Sequence, residues 1–499
     1  MKIKKIEISN YKAFYGKHEF NVDGKNLFIY GENGSGKSSF YYALKDFFQS
    51  SLETINFDDV ENIFLEDADK GNGEVKITFN PDKDGNSTDQ ENEFGHQNNS
   101  TYGNVEIRDA ISLKGFLTYK HLLGIHHLKV DDEIDLFDLL VKGVLKHFKS
   151  VAVTGQFELG ELWKRVEDSI DKPLDGQRYN RSQKSKDVGT AIKEFNDAFS
   201  KLFEPGGVEN ILTYASPILD QFGHSIEIDL TYAQARPSSD LESIERNHVR
   251  IDVKYLGKEV DKPHIFLNEA RLSAIAISIY LGMIKRHIQG MPLKVLFLDD
   301  IFIGLDISNR LPLLNIINSE FPDYQIFITT YDKPWYEFVR TTYLLNDNRW
   351  KSFEFYARRS AQGFDIPIKR EISSNSHVQF FIDKAEEYYN NGDNKAAGVY
   401  LRSAFEFILK RYCFGKKVPV KFHLDISKMD TSIFWDDLKK YKATHANCGL
   451  TPATTTSIDH YTTLVLNPLS HHDINKHEVS AEIQGAIDTI KILKTELGV

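Results

Sequence analysis

The sequence contains very few cysteines and no long hydrophobic run. Its 499 residues include only Cys413 and Cys448, which excludes a disulfide framework and a four-cysteine zinc site. No stretch approaches the roughly 18 consecutive apolar residues that a membrane-spanning helix requires. The opening segment MKIKKIEISNYKAF alternates like a β-strand and lacks the apolar core of a signal peptide. We therefore expect a soluble protein of the reducing cytoplasm, with no membrane partner.

Basic residues are also in the minority. The net charge of −11 argues against a uniformly basic coat for nucleic acid. Local basic segments do occur, at KRHIQG (285–290) and LKRYCFGKK (409–417), so DNA or RNA stays open as a partner. The proportions of 41% apolar and 27% charged residues are those of an ordinary globular protein, and the length allows two to four domains.

The spacing of the apolar residues divides the chain into four segments. Residues 1–130 and 223–372 contain both strand and helix patterns. Residues 131–222 have helical spacing without sustained heptads, which indicates a helical insertion rather than a long coiled coil. Residues 373–499 are almost entirely helical, and we predict a separate domain there. We interpret the polar, Asn-rich stretch 81–104 as a flexible loop between two strands.

The segment IYGENGSGKSSF is the most specific signal in the sequence. It fits the pattern G-x-x-x-x-G-K-[ST], with a predicted strand before it and a predicted helix after it. The glycines let successive main-chain N–H groups point at phosphate oxygens, and the helix N-terminus adds positive potential. Lys37 is expected to reach the β- and γ-phosphates of ATP, and Ser38 to hold Mg²⁺. The residues expected to line this phosphate cradle are Gly31, Asn33, Gly34, Gly36, Lys37, Ser38 and Ser39.

A second group of polar residues follows the apolar run KVLFLDD. Asp is a poor strand former and is rarely buried, yet Asp299 and Asp300 end this run. A P-loop requires an acid at the end of a neighbouring buried strand to complete the Mg²⁺ site. We therefore predict that Asp299 binds the metal, directly or through water. Asp300 is predicted to be the base that orders the attacking water.

Together these motifs resemble the ABC-type ATPases of the SMC/Rad50 branch. The resemblance rests on an opening strand followed by NYKAF, on GENGSGKSS, and on a distant LDD…GLD. It implies an α/β P-loop NTPase head of the ABC/SMC type with a helical insertion, followed by an all-α C-terminal domain. It also implies a head-to-head dimer, in which the signature segment of one head faces the P-loop of the other. Higher homo-oligomers are also plausible.

The signature segment and the D-loop are assigned through the same resemblance. FLNEARLSAIAIS (266–278) occupies the signature position, although Ala274 and Ile275 replace the usual residues after Leu272 and Ser273. We expect Ser273, and a helix beginning there, to offer a hydroxyl and N–H groups to a γ-phosphate. Asp306 matches the D-loop acid. The Q-loop is expected within FLTYKHLL (116–123).

Two departures from the family pattern predict slow hydrolysis. In this family the position after the metal-binding acid of the Walker B strand, here Asp299, is usually Glu. It is Asp300 in this sequence, one methylene shorter. The switch position is usually His and is Tyr331 here. A tyrosine cannot accept a proton at neutral pH because its pKa is about 10, although it can donate to a phosphate oxygen. We expect the catalytic set Lys37, Asp300 and Tyr331 to suit a sensor or clamp better than a motor.

The chain also resembles the PtuA-type ATPases of Septu anti-phage systems, including those associated with retrons. The resemblance rests on the segment FLNEARLSAIAISIYL, the short insertion and the helical C-terminal segment. This resemblance covers roughly residues 1–360. It implies a partner HNH nuclease held inactive until infection. In the retron versions it also implies a reverse transcriptase with its non-coding RNA and DNA.

The C-terminal segment offers a second candidate site. Arg402 and Glu406 are four residues apart on one helix face, and His471 and His472 follow in LNPLSHHD. This set resembles that of HEPN-like ribonucleases fused to ABC-type ATPases, in which His acts on a 2′-hydroxyl and Arg stabilises the phosphate charge. The alternative is an ordinary helix ion pair in a structural or partner-docking domain.

Three functions follow from these patterns. The leading hypothesis is an ATPase subunit of an anti-phage complex that senses infection and regulates an associated nuclease. The second is a self-contained toxin whose ATPase heads gate an anticodon ribonuclease on the C-terminal domain. The third is a DNA-repair clamp of the SMC type, against which the short insertion and the lack of heptads count.

Overall fold

The structure is a computed structural model. It describes residues 1–80, 88–119, 135–155, 157–175, 179–245, 248–286, 291–344, 347–372, 377–421, 423, 429–445, 447–470 and 480–499. The chain forms two compact units. Unit 1 consists of Met1–Tyr343 and Asp347–Glu371, and unit 2 consists of Leu344–Asn346 and Ile372–Val499.

Unit 1 contains both strands and helices. Its strands are β1 (Lys2–Tyr11), β2 (Phe14–Asn21), β3 (Asn26–Gly31), β4 (Glu74–Asn80), β5 (Gln90–Gly95), β6 (Phe116–Thr118), β7 (Ile226–Tyr232), β8 (Arg236–Pro237), β9 (Ile244–Glu245), β10 (Val249–Tyr255), β11 (Lys258–Val260), β12 (Val295–Asp299), β13 (Gln325–Thr330), β14 (Trp350–Arg359) and β15 (Asp365–Ile372). Its α-helices are α1 (Lys37–Gln49), α2 (Val105–Ser112), α3 (Leu159–Asp171), α4 (Arg181–Ser200), α5 (Leu212–Asp220), α6 (Pro263–Phe266), α7 (Glu269–Arg286), α8 (Ile307–Glu320) and α9 (Lys333–Thr342).

A six-stranded sheet forms the centre of unit 1, in the order β15-β14-β3-β13-β12-β6. The pairs β14–β3, β3–β13, β13–β12 and β12–β6 are parallel. Strands β12 and β13 are buried along their whole length, as expected for a parallel sheet covered on both faces. Because parallel strands end at one edge, this sheet brings distant parts of the sequence together there. The last residues of β3, β13, β12 and β6 are Gly31, Thr330, Asp299 and Thr118.

A second sheet, antiparallel and in the order β2-β1-β4-β5, is joined to the central sheet by a buried glutamine. The Gln325 side chain is fully buried at the start of β13. Its amide nitrogen donates to the carbonyl oxygens of Ile3 (2.9 Å) and Lys25 (2.8 Å), and its oxygen accepts from the N–H of Ile3 at 2.6 Å. One side chain therefore binds three main-chain groups of the N-terminal segment, of which the Ile3 carbonyl oxygen also accepts from the N–H of Gly24.

Aromatic side chains fill the core of unit 1. Helix α1 buries Phe40, Phe47 and Phe48 at helical spacing. The Phe40 ring lies 5.9 Å from that of Phe297 on β12 and 4.8 Å from that of Phe20 on β2. These contacts position the helix that follows the phosphate cradle against both sheets.

The insertion is helical, and a small sheet follows it. Helices α3 and α4 have 13 and 20 residues, and the rings of Trp163 and Phe195 meet between them at 4.9 Å. Strands β7, β10 and β11 form an antiparallel sheet, and β8 pairs with β9. Among the described residues, no helix is long and apolar enough to cross a membrane.

The interpretation of residues 81–104 as an uninterrupted loop is wrong. Strand β5 (Gln90–Gly95) lies within this stretch and pairs with β4, with Phe94 opposite Val75. Phe94 is fully buried, so one apolar side chain anchors an otherwise polar strand at the edge of the sheet. Residues 81–87 lie outside the described part of the chain.

Unit 2 is helical in its described residues. Its α-helices are α10 (His377–Asn390), α11 (Asn394–Lys416), α12 (Thr431–Thr444), α13 (Pro452–Tyr461), α14 (Asn467–Ser470) and α15 (Ser480–Leu497). Helix α11 is the central element, and its Leu401 and Ile408 are fully buried in a core that also contains Leu438 and Ile487. The apolar spacing of residues 373–499 predicted this helical character.

We predict that Gln325→Leu destabilises unit 1 although leucine suits a buried position and fills most of the same space. The substitution leaves the N–H of Ile3 and the carbonyl oxygen of Lys25 without this partner, while the carbonyl oxygen of Ile3 keeps the N–H of Gly24. We expect a cost of about 2 kcal/mol in the free energy of unfolding. Equilibrium unfolding in urea measures the change. Gln362→Leu in the exposed turn between β14 and β15 is the control, and equal stability of the two variants would refute the role of Gln325.

Candidate nucleotide-binding site

The phosphate cradle is a turn between β3 and α1 that requires glycine. Gly34 and Gly36 have φ values of 81° and 97°, a region that other residues rarely adopt. A Cβ atom on Gly36 would lie 2.8 Å from Cγ of Pro367, so the turn is closely packed as well as left-handed. The motif therefore has the local structure that its sequence predicted.

The N-terminus of α1 is left open to an anion. Gly36 caps this 13-residue helix without a side-chain hydrogen bond, and the first turn contains no acidic residue. The hydroxyl of Ser35 is buried and has no hydrogen-bond partner among the described residues. Uncapped N–H groups at a helix N-terminus favour phosphate, so these residues fit the triphosphate of a nucleotide.

Lys37 lies inside this turn. Its side chain is buried, and its ammonium group donates to the carbonyl oxygens of Gly31 at 2.6 Å and Glu32 at 3.2 Å. The same ammonium lies 3.8 Å from the Oδ2 atom of Asp300. Residues separated by more than 260 positions in sequence thus meet at one edge of the central sheet, as the motifs predicted.

Asp299 ends β12 with its side chain almost completely buried. Burial raises its pKa to about 6, and hydrogen bonds from Thr329 and Ser38 together with the charge of Lys37 oppose this rise. The Thr329 hydroxyl donates to Oδ1 of Asp299 at 2.6 Å. Because Ser38 is among the groups that lower the pKa of Asp299, the two predicted magnesium ligands are neighbours.

Asp300 turns the chain away from the sheet. It has a φ of 51°, which is uncommon for a residue other than glycine, and its N–H donates to the Thr329 hydroxyl at 3.0 Å. Burial raises the pKa of its carboxyl group, while the charge of Lys37 and the N–H of Tyr331 lower it. Its Oδ1 atom is buried without a hydrogen-bond partner among the described residues.

The structure also describes the remaining predicted residues of the phosphate cradle and the switch position. Asn33 is exposed at the tip of the turn, and the Ser39 hydroxyl accepts from the N–H of Ala13 at 3.4 Å. Tyr331 follows β13 and is 44% exposed. Their roles remain predictions.

The expectation that a helix begins at Ser273 is wrong. Helix α7 begins at Glu269, and the Asn268 side chain caps it by accepting from the N–H of Arg271 at 3.0 Å. Ser273 lies in the second turn and is fully buried. A Cβ atom on Gly304 would lie 2.7 Å from its hydroxyl oxygen, so the hydroxyl faces the interior of unit 1. The exposed residues at this helix end are Asn268 and Glu269.

Asp306 is exposed and caps α8. Its Oδ1 atom accepts from the N–H of Asn309 at 3.0 Å, which is an ordinary helix-capping interaction. Arg310, one turn later, donates to the Leu305 carbonyl at 2.9 Å and to the Asp332 carboxylate at 2.6 Å. The segment assigned as D-loop is thereby tied to the segment that contains the switch position.

The segment assigned as Q-loop starts in the described part of the chain. Strand β6 pairs with β12 so that Thr118 lies opposite Asp299. The Tyr119 hydroxyl then donates to Oε1 of Glu269 at 2.8 Å, which links this edge to the start of α7. Residues 120–123 lie outside the described part.

Two interactions of this site were missed in the sequence. The Thr329 hydroxyl bridges the two aspartates, and Arg310 joins the D-loop to Asp332. Thr329 could have been noticed as a polar residue directly after the apolar residues Ile326–Ile328. The pairing of Arg310 carries no local sequence signal.

The candidate residues of unit 2 are only partly described. Arg402 donates to Oδ1 of Asn467 at 2.8 Å, and Glu406 accepts from Lys410 at 2.5 Å. The predicted Arg402–Glu406 ion pair is not among the ion pairs of the described residues, since Glu406 pairs one turn further along α11. His471 and His472 lie outside the described part of the chain.

The two described residues of KRHIQG, Lys285 and Arg286, do not form an exposed basic patch. Lys285 forms an ion pair with Glu320, and the Arg286 guanidinium is buried over the Phe148 ring, 3.4 Å from its centre. In LKRYCFGKK, Lys416 and Lys417 are exposed.

The fold and this site define a P-loop nucleoside triphosphatase. The family model described as RecF/RecN/SMC N terminal domain matches residues 2–351. The chain belongs to this family, and residues 2–351 are an SMC-type ATPase head. Binding of ATP, typically with Mg²⁺, follows from that membership.

Solved structures similar to this chain include several SMC heads. An SMC head bound to the C-winged helix domain of ScpA has 15% identity and a TM-score of 0.39, covering 74% of this chain and 99% of the other. An SMC head with an extended coiled coil, bound to the C-terminal domain of ScpA from Pyrococcus furiosus, has 15% identity and a TM-score of 0.39, covering 77% and 99%. The SMC head domain of Thermotoga maritima has 13% identity and a TM-score of 0.35, covering 75% and 100%. No curated protein matches the chain.

We predict that Asp299→Asn removes a pH-dependent loss of stability. The pKa of Asp299 in the folded protein, about 6, exceeds its ordinary value of 3.8. Between these pH values the unfolded chain releases a proton that the folded protein keeps, so stability falls as pH rises, by on the order of 3 kcal/mol. The contribution is fully present below about pH 4 and lost above about pH 6.

Urea unfolding without nucleotide or Mg²⁺, at intervals from pH 4 to pH 7, measures this effect. The free energy of unfolding of Asp299→Asn minus that of wild type should increase with pH. Asp252→Asn on the exposed face of β10 is the control, because water solvates its charge in both states. A difference that stays constant for Asp299→Asn would contradict the buried charge.

Proposed function

We propose that unit 1 binds Mg²⁺–ATP between the phosphate cradle and the tandem aspartates and hydrolyses it slowly. The observation that carries this proposal is the meeting of Lys37, Ser38, Asp299 and Asp300 at one sheet edge, with 3.8 Å between the Lys37 ammonium and the Asp300 carboxylate. The carboxylate and hydroxyl oxygens suit Mg²⁺. The ammonium group and the N–H groups at the helix N-terminus suit the phosphates.

Each residue has a role that its chemistry supports. Lys37 would turn from its carbonyl partners to the phosphates, which offer it stronger charge-assisted hydrogen bonds. Ser38 and Asp299 would hold Mg²⁺, which when bound offsets negative charge on the phosphate oxygens. Asp300 would orient and deprotonate the attacking water. The pKa of its carboxyl group is raised toward neutral pH, which favours proton acceptance. Tyr331 would donate to a phosphate oxygen.

Slow hydrolysis is proposed because the base has little reach. Asp300 is shorter than Glu by one methylene, and its main chain is fixed to Thr329 in a left-handed conformation. Tyr331 stands where the family usually has His, and its phenol group offers a hydrogen-bond donor in place of an imidazole. A site that holds ATP longer than it needs for chemistry suits a protein that reports the nucleotide state.

A head-to-head dimer of this chain is proposed as the ATP-bound form. Large apolar side chains are exposed close in sequence to the α7 N-terminus and to Asp306, which supports association there. These are Ile265 (52% exposed), Phe266 (65%), Ile303 (40%) and Ile307 (70%). Ser273 is not part of the proposed interface, because it is buried.

We predict a steady-state ATP turnover below about 10 per second for the full chain. Lys37→Ala should abolish nucleotide binding, because it removes the cation that faces the phosphates. Asp300→Asn should retain ATP binding and lose about a hundredfold or more in turnover, as expected for a general base.

Phosphate release and calorimetry with ATP and Mg²⁺ give these quantities, and light scattering of Asp300→Asn with ATP reports the dimer. Asp323→Asn, an exposed acid after α8, is the matched control and should behave as wild type. Rapid turnover by Asp300→Asn would assign the base elsewhere.

We propose further that the ATPase head regulates a nuclease in anti-phage defence. The support is the resemblance of FLNEARLSAIAISIYL and of the domain order to PtuA-type ATPases. The partner would be an HNH nuclease, with a reverse transcriptase and its RNA–DNA in a retron-type complex. Unit 2 is a helical domain with its own core and would be the docking domain for such a partner.

A ribonuclease in unit 2 is the second candidate. It is favoured by the contact of Arg402 with Asn467, four residues before His471 in the sequence. In this alternative, Arg402 would stabilise phosphate charge and a histidine would act as acid or base.

We predict that the purified chain, with ATP and Mg²⁺, leaves total tRNA intact. Gel electrophoresis of the RNA distinguishes the two candidates. Cleavage that Arg402→Ala abolishes, and that the neighbouring Arg411→Ala leaves unchanged, would replace the regulator by the self-contained toxin.

A further inference from the structure

The parallel pairing of β12 and β13 places one hydroxyl beside both aspartates. In this register Asp299 lies directly opposite Thr329. Strand β13 is buried throughout, and a central strand of a parallel sheet is usually apolar. Thr329 is fully buried, so its hydroxyl departs from that pattern and requires a partner.

The hydroxyl uses its donor and one acceptor site on two consecutive residues. It donates to Oδ1 of Asp299 at 2.6 Å and accepts from the N–H of Asp300 at 3.0 Å. The first bond restrains the direction of a carboxylate, and the second restrains the main chain from which the next carboxylate projects.

Both restraints act on residues with an unfavourable charge or main-chain conformation. Asp299 and Asp300 are adjacent like charges, and the charge of Asp300 disfavours ionisation of Asp299. Asp300 also holds a left-handed conformation that most residues avoid. Because Thr329 is shielded from water, its hydrogen bonds are not exchanged with solvent.

We propose that Thr329 is a positioning residue for the magnesium–nucleotide site, because its hydroxyl fixes the Asp299 side chain and the Asp300 main chain in one arrangement. One oxygen of Asp299 is held by the hydroxyl, which leaves the other for the metal. Thr329 itself touches neither metal nor nucleotide. This inference rests on the proposed function of the site.

Two pairs of variants isolate the hydroxyl group. Wild type and Thr329→Val differ by a hydroxyl in place of a methyl group. Thr329→Ser and Thr329→Ala differ by the hydroxyl alone, and both lack the methyl group, so the comparison survives if Thr329→Val fails to fold. Thr489→Val is the matched control, since Thr489 is a buried threonine of unit 2 whose hydroxyl donates only to the Gly485 carbonyl among the described residues.

Calorimetry measures ATP binding by the full chain, once with Mg²⁺ and once with EDTA. In each pair, the member without the hydroxyl should bind ATP about tenfold more weakly when Mg²⁺ is present. In EDTA the affinities of the two members should agree to within about twofold, because the phosphate cradle is unchanged. The turnover of the hydroxyl-free member at saturating ATP should also fall, while Thr329→Ser retains both properties and Thr489→Val matches wild type.

The outcomes separate this inference from the proposed function. If wild type binds no ATP, the proposed function fails and the inference with it. If wild type binds Mg²⁺–ATP and the hydroxyl-free members bind equally well, only the role of Thr329 is overturned. Equal losses with Mg²⁺ and with EDTA would likewise overturn it, because they would show a general disturbance of the fold.

Discussion

The site depends on keeping two carboxylates and one ammonium together in a place that water hardly reaches. Adjacent Asp299 and Asp300 repel each other, and burial opposes their ionisation. Lys37 compensates one charge at 3.8 Å. The parallel sheet makes this arrangement possible, because it delivers the phosphate cradle from β3 and the acids from β12 to the same edge. Strand β13 lies between them and carries the hydroxyl that joins the two acids. Two carboxylates beside one ammonium leave an excess of negative charge. A metal ion would reduce the remaining repulsion, so the site favours a cation.

Arg310 connects the D-loop segment with the switch segment, both of which belong to the proposed head-to-head dimer. Arg310 reaches from α8 to the Leu305 carbonyl and to Asp332, which begins the turn into α9 directly after Tyr331. Asp332 in turn caps α9 through the N–H of Trp335 at 3.0 Å. Movement of the D-loop would therefore be transmitted to the switch position through one guanidinium group, whose planar donors hold two acceptors at once. This is a physical route by which association of two heads could alter the environment of Asp300.

Sequence patterns predicted those features of the site that are local. The phosphate cradle requires glycine at particular φ values, and an apolar run that ends in acids indicates a buried strand. They failed where burial depends on distant residues. Ser273 reads as an exposed signature residue, but the close approach of Gly304 buries it. The polar segment 90–95 forms a strand because Phe94 is buried opposite Val75 of β4. Thr329 acquires its importance only from the register of β12 and β13.

Lys37 gives the site two possible states. Its ammonium has three donors, and it now uses carbonyl oxygens of its own loop, with the Asp300 carboxylate nearby. Phosphate oxygens would replace these partners, and Asp300 would then lose its nearest cation among the described residues while gaining a water molecule to orient. Binding would therefore change the charge around the proposed base before any chemistry occurs. Together with the slow hydrolysis that we propose, such an exchange would prolong the bound state, which is the property that a sensor of nucleotide state requires.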